Sequence, residues 1–244
     1  AAVVLEVCRE TKPVPGFLET LRRLCDQEGT LLVFDEVVTG FHYSLHGAAS
    51  LFGVMPDLMS LGKGMANGYA LSAIMGKRTY MERGGIRHDQ ERVFFLSTTN
   101  GPEQSALAAG LATIDFYGQH DVISQLYRTG RRIIDGVREA ATRHGIAEYV
   151  SADSDFACRP VFKFLDPNKS VSPEFRTLFL QEMSTRRVFI PWICPSFRHG
   201  ESEIAQTLDA VDSVCAVYAK ALEAGSVGRF LVGPPAKPVF RRFN

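Results

Sequence analysis

The chain has 244 residues, a formal net charge of zero at pH 7 and 45% hydrophobic residues. That apolar share supplies a sizeable core, excludes a disordered chain and, at this length, fits one large or two modest domains. The even charge, with no long basic block, leaves no footing for nucleic acid or an anionic membrane, and no apolar run approaches the roughly 20 residues that span a bilayer.

The chain opens without a methionine on AAVVLEV. Val3 to Val7 reads as a buried strand, and a buried strand as the first element is expected of a fragment whose chain once continued upstream. Pro13 to Gly16 make a turn. Phe17, Leu18, Leu21, Leu24 and Cys25 then share one helical face, with Gly29 as the stop. Leu31 to Phe34 is the next strand, which completes a right-handed strand–helix–strand unit of a parallel sheet. Leu58 to Leu61 and Ser72 to Gly76 follow as strands, residues 80–92 as an exposed loop, and Val93 to Leu96 as a strand running into STTNGPE. A helix rich in alanine and glycine starts at Pro102 and predicts a closely approaching neighbour. Beyond Gly118–Asp121 the character changes to an α+β pattern. Its expected parts are a helix over 122–144, a strand Val161 to Phe164, a helix Pro173 to Arg187, a strand Val188 to Ile190 and a helix over 202–223. The tail from Gly225 carries prolines and reads as an extended arm, packed or disordered.

Chemistry concentrates in two stretches. LLVFDE ends in Asp35 and Glu36, and SLGKGMANG sets Lys63 among glycines, 63 − 35 = 28 residues further on. If both strand ends emerge on one edge of a parallel sheet, the acid and the lysine face one ligand. An acid to hold a ring nitrogen protonated and a lysine to form a Schiff base suggest a pyridoxal phosphate site. The bland readings are a helix-capping acid and a solvated lysine. Asp35 also fits the metal-holding strand of a P-loop NTPase, but the GxxxxGK[ST] loop which that chemistry needs is not in the chain. The hydroxyl-rich turn Ser97, Thr98, Thr99 and Asn100 suits either a phosphate at a helix N-terminus or a plain N-cap serving Glu103 and Gln104. His42 and His46 lie four apart without an acid or thiol to complete a metal set, so no metal is expected. Trp192 in IPWICP is expected in the core. Cys8, Cys25, Cys158, Cys194 and Cys215 are scattered with no CxxC pair, which favours reduced thiols in a cytoplasmic protein.

FDEVVTGF (34–41), PDLMSLGKGMANGYALSAIMG (56–76) and the STTNG turn, in this order, resemble the class III pyridoxal phosphate aminotransferases, and most closely the glutamate-1-semialdehyde aminomutase branch. The resemblance runs from residue 1 to about 225. It implies an α/β fold-type-I transferase seen as its C-terminal half. Residues 1–120 would be part of the cofactor-binding large domain, with a mainly parallel sheet; 121–224 would be a small α+β domain and 225–244 an arm. It implies pyridoxal 5′-phosphate held by Lys63 as an internal aldimine, with Asp35 on the pyridinium nitrogen and Val37 against the ring face. Thr98 would reach the cofactor phosphate of the partner subunit, so a homodimer with shared active sites is implied. Substrates would be an amine or amino acid and a keto or aldehyde compound. The chain departs from the family pattern at His42, where aminomutases carry arginine, and at NGPE in place of an SGNP-like segment. It also lacks the upstream glycine/serine phosphate loop and ring-stacking aromatic. Arg198, in the SFRHGE turn, is a candidate for a substrate carboxylate. The remaining alternative is a non-catalytic domain that keeps this fold.

Overall fold

The computed structural model describes residues 1–85, 87–92, 101 and 103–237. The chain divides into two compact units, Ala1–Ser124 and Gln125–Asn244.

In the first unit, strands β1 (Ala2–Glu6), β2 (Leu31–Asp35), β3 (Leu58–Leu61) and β4 (Ala73–Gly76) form one sheet in that order. β1, β2 and β3 run parallel, and β4 returns antiparallel to β3. Helix α1 (Phe17–Gln27) is the β1–β2 crossover, and only Leu18 and Cys25 of its apolar stripe are fully covered. It closes with the Thr30 N–H on the Cys25 carbonyl. In β2 the alternation is sharp. Leu32 and Phe34 are fully buried, whereas Leu31, Val33 and Asp35 on the other face are half-buried. β1 differs from the expected buried strand: among the described residues it pairs only with β2, and Val4 is 66% exposed. Short helices α2 (Ala49–Phe52) and α3 (Arg78–Met81) lie in the connections, and α4 (Gln104–Gln119) follows. The expected strand at Val93 to Leu96 and the STTN turn, with Thr98, lie outside the described residues.

Asp57, just before β3, ties this unit together. Its carboxylate is 2% exposed as a residue and accepts from the Leu32 N–H at 2.7 Å, Arg22 of α1 at 2.9 Å and Lys77 beyond β4 at 2.6 Å.

The second unit packs α5 (Val122–Arg143), α6 (Pro173–Thr185) and α7 (Glu201–Glu223) with the antiparallel pair β5 (Val150–Asp153) and β6 (Val161–Phe164). Ile134, Val137, Leu178, Phe179, Val214 and Tyr218 are in its core. Ser172 caps α6 by accepting from the Phe175 N–H, with Pro173 at the first helical position. No strand forms at 188–190: Val188 and Ile190 pack on the core as irregular chain, and among the described residues no strand pairs with them. Trp192, expected in the core, is 73% exposed, and the adjacent Ile193 takes the buried position. The tail packs as far as it is described. Gln181 bonds the Phe230 carbonyl and the Val232 N–H, and Thr177 accepts from the Ala236 N–H.

Candidate active site

β2 and β3 are parallel neighbours, so their carboxyl ends emerge on one edge of the sheet. Asp35 ends β2 in register with Ser60 of β3. Its Oδ1 accepts from the Ser60 hydroxyl at 3.1 Å and from the Val37 N–H at 3.0 Å. These two bonds fix the carboxylate's orientation; among the described residues Oδ2 accepts from no donor. Lys63 lies two residues past the end of β3 and opens a single 3-10 turn, Lys63–Met65. Its φ is 46°, in the left-handed region, and its side chain is exposed. Its carbonyl is held by the Asn67 N–H at 3.2 Å. The sheet therefore brings Asp35 and the Lys63 turn to the same edge, at the ends of adjacent strands.

Val37 belongs to the same edge. A Cβ added at Gly62 would lie 3.4 Å from Val37 Cγ1, so the valine flanks the lysine turn directly. Helix α4 covers the chain that follows. A Cβ on Gly110 would come within 2.8 Å of Leu71 Cδ2 and 3.9 Å of the Met65 carbonyl, which is the close approach that the alanine- and glycine-rich helix predicts. Arg198 belongs to the second unit, where its N–H bonds Ser196 Oγ ahead of α7. Among the described residues no group of three or more His, Cys, Asp or Glu is arranged to hold a metal ion.

Sequence reasoning missed two groups around this edge. Glu36 has no solvent exposure and binds the loop that follows it, accepting from the Ala48 and Ala49 N–H groups at 2.8 Å each and from Thr39 Oγ1. Tyr117 of α4 donates to the Phe41 carbonyl at 2.5 Å, and its burial raises the phenol pKa above the ordinary value. The signal for Glu36 was its place in strict alternation after Leu32 and Phe34; Tyr117 carried none.

The profile of the family described as aminotransferase class-III matches residues 1–152. Among curated relatives, a glutamate-1-semialdehyde 2,1-aminomutase of Syntrophobacter fumaroxidans is 36% identical over 78% of this chain and 45% of its own length. A 3-aminobutyryl-CoA aminotransferase of Cloacimonas acidaminovorans is 32% identical over 86% of this chain and 49% of its own. Among solved structures, the FumI protein of Sphingopyxis sp. MTA144, in its PLP internal aldimine form, superposes with a TM-score of 0.73 at 25% identity, covering 85% of this chain and 48% of that one. An omega-transaminase from Sphaerobacter thermophilus gives 0.73 at 22% identity over 90% and 52%. The fold is that of the fold-type-I transaminases. With more than half its length matched, the chain belongs to the class-III aminotransferase family. It spans about half the length of the curated relatives it matches.

The family cofactor is pyridoxal phosphate, and the residues of this edge fit it. An oriented carboxylate suits a protonated ring nitrogen, an exposed primary amine suits an aldehyde, and Val37 offers an apolar surface for a flat ring. The P-loop reading of Asp35 finds no support.

Proposed function

We propose that the protein transfers amino groups with pyridoxal phosphate, as an aminotransferase or aminomutase. The observation that carries this reading is the placement of Asp35, ending β2, and Lys63, in the turn just after β3, at the carboxyl ends of neighbouring parallel strands. When bound, the cofactor supplies an aldehyde that captures amines and a ring that accepts carbanion charge. Lys63 Nζ would hold the cofactor at its aldehyde carbon and would be the base that carries the proton between the reacting carbons. Asp35 holds a proton at the ring nitrogen, with its own orientation kept by Ser60 and the Val37 N–H. Val37 covers one face of the ring and excludes water from it.

Thr98, in the STTNG segment of the sequence, is proposed to reach the phosphate of a partner subunit, which makes the working form a homodimer with shared sites. The substrates are an amine or amino acid and a keto or aldehyde compound. None of the five cysteines forms a disulfide, in keeping with a reducing cytoplasm. The test is chemical. Full-length protein is mixed with pyridoxal 5′-phosphate, reduced with borohydride and digested. The expected pyridoxyl label is on the Lys63 peptide, and Lys63→Ala is expected to abolish it and to cost about 10²-fold or more in turnover. A protein that takes no label, or takes it only elsewhere, contradicts the assignment.

A further inference from the structure

Glu36 is a carboxylate with no solvent exposure and no part in the chemistry assigned above. All three groups around its carboxylate are donors. Oε2 accepts from the Ala48 N–H and Thr39 Oγ1, and Oε1 accepts from the Ala49 N–H. Its carbonyl also accepts from the Gly40 N–H at 2.8 Å. The side chain thus closes the 37–48 loop onto the end of β2. The packing makes room for it: a Cβ on Gly47, at φ 80°, would lie 2.8 Å from Oε1.

The loop so closed runs beside Leu61 to Gly64, the end of β3 and the start of the Lys63 turn. Val37 Cγ1 lies 3.4 Å from a Cβ built at Gly62. A Cβ at Gly40 would fall 2.6 Å from Leu61 Cδ2. Phe41 Cβ lies 3.6 Å from a Cβ built at Gly64. Phe41 itself sits at φ 61° and is held from α4 by Tyr117. Phe41 and Lys63 are both non-glycine residues in the left-handed region, a conformation that persists only when the surroundings over-determine it.

We propose that Glu36 is a positioning residue for Lys63: its three-donor clasp holds Thr39–Phe41 under the turn and thereby aims Nζ at the aldehyde. The inference rests on the function proposed above. In the step concerned, neutral Nζ bonds the aldehyde carbon and the carbonyl oxygen leaves as water, taking both nitrogen protons. Glutamine cannot replace the acid. Its amide nitrogen would face the Ala49 N–H in one orientation and the Ala48 N–H in the other, donor against donor.

The experiment separates aim from affinity in full-length apoprotein. Covalent capture of pyridoxal 5′-phosphate is timed by its visible absorption, and non-covalent affinity is measured with pyridoxine 5′-phosphate, which has no aldehyde. Capture by Glu36→Gln is expected to slow about 10-fold while the pyridoxine 5′-phosphate Kd stays within about twofold of wild type. Thr39→Val, which removes one donor at nearly constant volume, is expected to slow capture about threefold and decides the matter if Glu36→Gln does not fold. Capture at the wild-type rate, or a loss of capture matched by an equal loss of pyridoxine 5′-phosphate binding, overturns the proposal. Wild-type protein that binds pyridoxine 5′-phosphate but never captures the aldehyde overturns the functional reading, and this inference with it.

Discussion

A strand turns successive side chains to opposite faces, and at the end of β2 that alternation separates two adjacent carboxylates. Asp35 lies on the half-buried face with Leu31 and Val33, within reach of a ligand. Glu36 continues the fully buried face of Leu32 and Phe34 and meets only donors from its own loop. Their amide variants should therefore fail differently. Asp35→Asn keeps an oxygen for the Val37 N–H and the Ser60 hydroxyl, but an amide does not hold a proton at a ring nitrogen. It is expected to capture pyridoxal 5′-phosphate at Lys63 normally and to lose about 10²-fold or more in kcat, measured per bound cofactor. Tyr117→Phe removes the bond to the Phe41 carbonyl and leaves the ring packing intact. It is expected to cost about 1 kcal/mol of stability, read from denaturant midpoints.

The elements of the first unit are joined through Asp57. Burial alone would raise its pKa, but bonds from Lys77, the Leu32 N–H and Arg22 outweigh that and hold the carboxyl below its ordinary value. The folded value lies below the unfolded one. The stability it contributes is thus fully present above about pH 4 and is lost as pH falls through the folded value. Asp57→Asn is expected to cost about 3 kcal/mol at neutral pH and to flatten the acid limb of the stability curve, measured by urea melts across pH. In the second unit a Cβ on Gly130 would sit 1.6 Å from the Ala157 carbonyl oxygen, so Gly130→Ala must push α5 off that segment. A loss of about 1–3 kcal/mol is expected, with a lower melting temperature. Much of this level was legible in the chain. Apolar runs located β2, β3 and β6, and capping and periodicity located α1, α5, α6 and α7. Legibility ended where an outcome depends on a neighbour. Val188 to Ile190 has strand residues but no partner strand among the described residues, the VSAD stretch forms β5 because β6 pairs with it, and Trp192 yields its core place to Ile193. At the site, the two groups expected to do chemistry could be read from their motifs. The supports Asp57 and Tyr117 could not, and Glu36 only through its place in the alternation, because burying a carboxylate or closing a bond over 76 residues is decided by tertiary packing.

For the whole molecule, we propose that the two compact units are its domains. The second has its own core, built from α5, α6, α7 and the β5–β6 pair and continued by Phe230 and Leu231 of the tail. Residues 125–244 produced alone are expected to melt in one cooperative transition by circular dichroism; a broad, non-cooperative change would argue against a separate domain. The return of β4 antiparallel to β3 bears on how the first unit assembles. Leu61 pairs with Ala73 across a span of 12 residues, whereas Asp35 meets Ser60 across 25. Doubling a loop adds about 0.6 kcal/mol of closure entropy, so during folding the hairpin that carries the lysine closes before the parallel pairing that brings the acid, by roughly threefold in population. The reactive amine is then framed early, in a segment that needs little of the remaining chain. The site becomes competent only at the later, longer-range event, when β2 docks beside β3 and Asp35 arrives.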